Sequence, residues 1–195
     1  MKPYFFSLTA ATAVVFLNPA AHGLSEIGFG DFSGDFSAPT VIPFPLAPVT
    51  VDVTGQIGNN GDTGATNGND ADYFTVEIPQ GLSVVSIFVE DYTFSPGNPN
   101  VSFLGFVSGS SFGGQTAGDI DGSVLVNASS GEILDNLLGG SGELSAGNYS
   151  FWLQETSANV VDYRISFTTV PEPSTYGALF GAVCLLGAFL IRGRR

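Results

Sequence analysis

This sequence is short of cations. Of its 195 residues only 5 are Lys or Arg, and Lys2, Arg192, Arg194 and Arg195 lie at the two ends, leaving Arg164 alone between residues 24 and 170. The same stretch holds all but one of the 18 acidic residues. A surface of one negative sign repels nucleic-acid phosphates and anionic headgroups, so nucleic acid is not an expected partner. Cysteine and histidine occur once each, as Cys184 and His22, both in terminal apolar segments. The middle of the chain therefore has no Cys nucleophile, His base or Cys/His zinc site. It also has no disulfide and must be held by its core, for which roughly 110 to 145 residues suffice. The 26 Gly and 11 Pro fall short of a low-complexity chain.

The start of the chain reads as a secretory signal. Lys2 precedes an apolar run through Leu17, then Pro19 and small residues. Ala21 and Gly23 place small side chains at minus three and minus one of a cut after Gly23, and a cut one or two residues earlier also fits. The expected signal segment is 1–23.

The other end reads Val170-Pro171-Glu172-Pro173, then an uncharged run over 176–191, then Arg192, Arg194 and Arg195. Sixteen residues of helix span about 24 Å against a hydrocarbon core of about 30 Å, a short span that snorkelling arginines can complete. The basic cluster keeps the tail cytoplasmic and the domain outside. Two prolines favour an extended backbone that cannot enter the helix or donate to a sheet, so Glu172 is expected to project where a processing enzyme can grip it. This three-part end, 170–195, resembles the PEP-CTERM sorting signal of Gram-negative bacteria. The resemblance implies an exosortase as partner, an integral-membrane, cysteine-dependent transpeptidase-like enzyme, acting after the Sec translocon. The same terminus also goes under the name of the C-terminal region of ice-binding proteins, although the signal itself carries no ice surface.

Between the ends the pattern is β. Residues 24–48 read as an irregular lead with a Gly-Asp-Phe-Ser echo at 30–33 and 34–37, followed by prolines at 39, 43, 45 and 48. Period-two or β-branched and aromatic runs at 49–53, 73–78, 83–92, 101–107, 123–126, 149–154 and 163–169, separated by Gly, Ser and Asn, predict strands. Residues 132–138 suggest a helical turn. The expected fold is an all-β antiparallel, jelly-roll-like sandwich of seven or eight strands over 49–169. Asp70-Ala71-Asp72-Tyr73-Phe74 with Pro79-Gln80-Gly81, then Leu144-Ser145-Ala146-Gly147-Asn148-Tyr149, then Tyr163-Arg164-Ile165-Ser166-Phe167, resemble the bacterial pre-peptidase C-terminal domain. That family is a sandwich appended to exoproteins, and some members bind calcium near their N-terminal edge; no protease precedes the domain in this chain.

The strongest candidate site is the acidic loop, where Asp62, Asn67, Asn69, Asp70 and Asp72 supply the hard oxygens calcium prefers. Phe74 stands where an EF-hand would need a third oxygen, and Asn-Gly or Asp-Gly turns explain the same residues. Asp119 and Asp121 form a second acidic pair with a hairpin turn as the alternative. Glu90-Asp91 or Asp119 with Asp121 would be the obvious hydrolase pair, but such pairs need a cleft larger than this scaffold offers. Tyr92, Phe94, Phe103 and Phe106 with Trp152 could stack on sugars or fill the core. The expectation is an exported, non-enzymatic surface or matrix protein in an exopolysaccharide or biofilm setting, transiently anchored in the inner membrane. The alternative is a tethered module that binds glycan, calcium or ice.

Overall fold

The computed structural model describes residues 22–26, 31–58, 70–94, 101–155 and 160–172. Among them run ten strands: β1 (His22–Ser25), β2 (Thr40–Pro43), β3 (Thr50–Gly58), β4 (Ala71–Ile78), β5 (Leu82–Phe94), β6 (Ser102–Ser108), β7 (Gly122–Val126), β8 (Gly131–Glu132), β9 (Gly147–Glu155) and β10 (Val160–Pro171). A short helix, α1 (Leu134–Leu138), follows β8. One sheet has the order β1-β3-β10-β5, extended by the two-residue β8; the other is β2-β4-β9-β6-β7. The seven runs expected from the sequence are β3 to β7, β9 and β10. Among the described residues no helix is long and apolar enough to cross a membrane, and the run at 176–191 lies outside them.

Two expectations need correction. The lead contributes strands, since β2 lies within it and β1 straddles its start, and both join parallel to their neighbours, β1 on β3 and β2 on β4. The sandwich is therefore antiparallel in its centre and parallel at two edges. No alternation or turn marks these short segments, because their pairing is set by contacts far away in sequence.

The core lies between the sheets. In β3, Val51, Val53 and Ile57 are buried while Asp52 and Thr54 are not, which is the alternation that period two demands. Phe167 of β10 packs edge-on against Phe151 of β9 and Phe74 of β4, ring centres 5.3 and 6.4 Å apart, which ties one sheet to the other. Phe74 also stacks on Phe151 at 5.5 Å. Phe32 and Phe44, from either side of β2, close the same cluster against Phe74 and Phe167. Burying an aromatic ring contributes about 1.5–3 kcal/mol, so this cluster is a main reason the chain folds without disulfides.

Candidate metal centre

One end of the core is acidic rather than apolar. Asp70 and Asp72 enter β4 on the inward-facing alternation that continues as Phe74 and Val76, and both are buried, Asp72 fully so at 0% exposure. Asp70 is fixed by a two-way backbone bridge to Gly58 at the end of β3. Across the sandwich Tyr163 of β10 donates its hydroxyl to Asp72 Oδ2 at 2.6 Å. Glu26, the residue after β1, arrives from the N-terminal side and is held by main-chain donors, the N–H of Gln56 at 2.9 Å and that of Phe32 at 3.4 Å. Room for this convergence comes from Gly55, where a Cβ would sit 2.5 Å from the Tyr163 hydroxyl oxygen and 2.7 Å from Glu26 Oε1.

Ligand oxygens of Glu26, Asp31 and Asp72 all lie within 4.8 Å of one another. Burial pushes the Asp72 carboxyl well above the usual range, the charge of Glu26 adds to this, the Tyr163 hydroxyl opposes it, and Asp70 raises it again. Burial likewise raises Glu26 against its backbone donors, and raises Asp31. Asp72 Oδ1 has no hydrogen-bond donor among the described residues. A buried, uncompensated carboxylate costs on the order of several kcal/mol, and Arg164, the one cation between residues 24 and 170, is exposed.

Such a cluster is stable as shared protons or around a cation. The donors are all hard carboxylate oxygens, which suits calcium or magnesium rather than zinc or copper. Two ligands on opposite sides of a calcium ion stand about 4.6–5.2 Å apart, so the observed spacing accommodates it. A cavity of about 390 Å³ lined by Ser25, Glu26, Thr54, Gly55, Gln56, Asp162 and Tyr163 opens beside Glu26, with room for water on that side of the cluster. The residues present fit the ion.

Of the five residues expected to bind calcium, Asp70 and Asp72 are brought to this end; Asp62, Asn67 and Asn69 lie outside the described residues. Glu26 and Asp31 were missed because they sit in the lead, where no spacing links them to β4. The second acidic pair serves turns. Asp119 accepts from the Thr116 N–H and hydroxyl, holding its carboxyl below the usual range, and Asp121 accepts from the Ser108 N–H at 2.6 Å. Glu90 and Asp91 are both exposed at a bulge in β5, where Arg164 pairs with Asp91 and Ile165 with Val89. Of the proposed sugar-stacking aromatics, Tyr92 and Phe106 are core residues, because β5 and β6 turn them inward. Phe103 and Trp152 are half-buried on the outer face, and the Phe94 side chain lies outside the described residues.

The terminal sites divide in the same way. Gly23 lies in β1, paired with Asp52 of β3, while Ala21 is outside the described residues. Val170 and Pro171 pair with Ser83 and Leu82 of β5, and the Glu172 N–H donates to Gly81 O at 2.9 Å. Glu172 Oε1 accepts from the Ala146 N–H at 3.3 Å. Glu172 is thus docked on the sandwich rather than projecting from it, because Pro171 withholds only its own N–H and the Glu172 N–H just beyond β10 still finds the Gly81 carbonyl.

Residues 169–195 match the PEP-CTERM protein-sorting motif. That motif implies an exported, cell-surface-associated protein that an exosortase processes. The matched sorting motif begins inside β10 and runs through Pro173, Arg192, Arg194 and Arg195, which lie outside the described residues. A comparison with the curated proteins gives no match.

Proposed function

We propose that this chain is a surface or extracellular-matrix protein whose β-sandwich is non-catalytic, binds calcium at its N-terminal edge, and acts within an exopolysaccharide or biofilm layer. The observation that carries the exported setting is the sorting motif at 169–195, joined directly to the sandwich. In this reading the Sec translocon delivers the chain, the apolar run at 176–191 holds it briefly in the inner membrane, and the exosortase releases it. The calcium reading is supported by Asp72 Oδ1, buried without a donor beside Glu26 and Asp31. Bound there, calcium would offset the carboxylates' mutual repulsion and hold the segment after β1 against β3 and β4. The acidic surface would then stay soluble and bridge to anionic polysaccharide through further divalent ions. The finer kinship with pre-peptidase C-terminal domains belongs to this proposal and rests on the motifs at 70–81, 144–151 and 163–167.

Intact mass of the protein recovered from its native host tests the pathway, with Glu172→Ala and an exosortase-deficient strain beside the wild type. The expected wild-type species lacks both ends, and the tail persists in the other two samples. A tail retained in all three would mark a permanent anchor, and the sandwich would then be a tethered binding module.

A further inference from the structure

The junction between the sandwich and its sorting motif has almost no slack. β10 does not stop before the motif but runs three residues into it. Thr169 is 3% exposed and bonded three times to Val49: its N–H and its hydroxyl each donate to the Val49 carbonyl at 2.9 Å, and its hydroxyl oxygen accepts from the Val49 N–H at 2.9 Å. Val170 and Pro171 continue the pairing with β5, and Glu172 is held at both ends, its N–H by Gly81 and its carboxylate by the Ala146 N–H. The Gly81 carbonyl is presented by the turn between β4 and β5, where Gly81 takes φ +81°, a left-handed conformation that favours glycine. Only Pro173, Ser174 and Thr175 separate Glu172 from the apolar run beginning at Tyr176. Fully extended, that connection reaches about 14 Å. An enzyme embedded in the membrane would have to grip a strand whose main-chain groups and acidic side chain are already engaged by the folded domain.

We propose that the sandwich sequesters its own sorting motif, and that the exosortase reads the motif only after the end of β10 has peeled away from β5. This rests on the reading of the terminus as an exosortase signal. Recognition of an extended peptide draws on the same backbone N–H and C=O groups that a sheet uses, so docking on β5 and docking in the enzyme are alternatives for Pro171 and Glu172. Strand ends open locally far more often than the whole domain unfolds, which makes peeling a workable gate. Each residue released from β10 also lengthens the tether by about 3.4 Å, giving the enzyme both substrate and space. Processing would then proceed at a rate set by the opening of this strand end.

A reversible lock tests it. The full-length chain carrying Ser83→Cys and Val170→Cys, with Cys184→Ala, would be incubated in oxidised and in reduced form with membranes from an exosortase-bearing host. Cleavage would be followed by intact mass. The expectation is that the oxidised form is cut at least about tenfold more slowly than the same protein reduced. Measurable and equal rates in the two forms would overturn the proposal. Hydrogen exchange on the intact wild type in detergent micelles reads the docking without any substitution. The amides of Thr169 and Glu172 are expected to be protected, and exchange of both at the rate of an unstructured peptide would overturn the proposal just as firmly. Wild type left uncut by those membranes would count against the sorting assignment itself, with the exchange result still deciding whether the motif is docked.

Discussion

Gly55 shows how much one missing methyl group can decide. It sits in β3 between Tyr163 and Glu26, and a Cβ there would overlap the oxygens of both. In most strand positions Gly→Ala stabilises slightly by restricting the unfolded chain. Here the added carbon must displace Tyr163, which is buried and bonded to Asp72, or push Glu26 off its backbone donors. Gly55→Ala is therefore expected to lose about 1–3 kcal/mol of stability, the usual cost of overpacking, as measured by urea unfolding at neutral pH. A neutral or stabilising result would mean that Glu26 is free to swing away and that the acidic end is loosely built. None of this was legible from the sequence, where Gly55 is one glycine among 26. Asp70 and Asp72 were legible as oxygen donors at a strand entrance. Their partners were not, because Glu26 and Asp31 reach them only through the parallel docking of β1 and the path of the lead, which leave no periodic trace.

At the scale of elements, the same end of the sandwich is tied further by polar groups that the sequence presents as ordinary strand residues, for Tyr92 stands opposite Tyr163 and Glu155 follows the Gln154 that faces Ala71. Tyr92 of β5, Ser102 of β6 and Glu155 of β9 meet in the interior, with Ser102 donating to Glu155 Oε2 at 2.8 Å and the Tyr92 hydroxyl 3.2 Å from the same oxygen. One buried cluster thus joins the two sheets across three strands. Burial, opposed by the Ser102 bond and helped by the charge of Glu155, pushes the Tyr92 hydroxyl up to about 12. With the folded value raised above the ordinary 10.0, the folded state binds more protons than the unfolded state at alkaline pH. Stability from this group is complete below pH 10 and declines as pH rises toward 12. Tyr163 is shifted in the same direction by burial and adds to the decline. Unfolding in urea at about pH 9 and about pH 11 is expected to show a marked loss at the higher value. In Tyr92→Phe the loss should be smaller but not absent; an unchanged loss would remove Tyr92 from the explanation. The strands themselves were legible because alternation survives in β3 and because β-branched and aromatic residues fill β4, β9 and β10 between Gly- and Asn-rich turns. The aromatics of β5 and β6 were ambiguous, since Tyr92 and Phe103 are both aromatic strand residues and only the sheet's placement separates core from outer face.

For the molecule as a whole, charge is the organising quantity. A chain with 18 acidic residues and 5 basic ones gathers Glu26, Asp31, Asp70 and Asp72 at one end of the sandwich and relies on the aromatic cluster around Phe151 to hold the rest. The sorting motif leaves the fold from β10, so export, folding and processing meet on one strand. The central claim is that the acidic end is a calcium site, and thermal unfolding of the full-length protein in detergent micelles, with calcium or with a chelator, tests it most directly. Calcium at about 100 times its dissociation constant should stabilise wild type by about 2.7 kcal/mol, or roughly 5–10 °C for a domain of this size. Asp72→Asn should lose most of that shift, while its melting point in chelator stays near or above that of wild type because a buried charge has been removed. The same calcium shift in wild type and Asp72→Asn, or no shift in either, would contradict the claim.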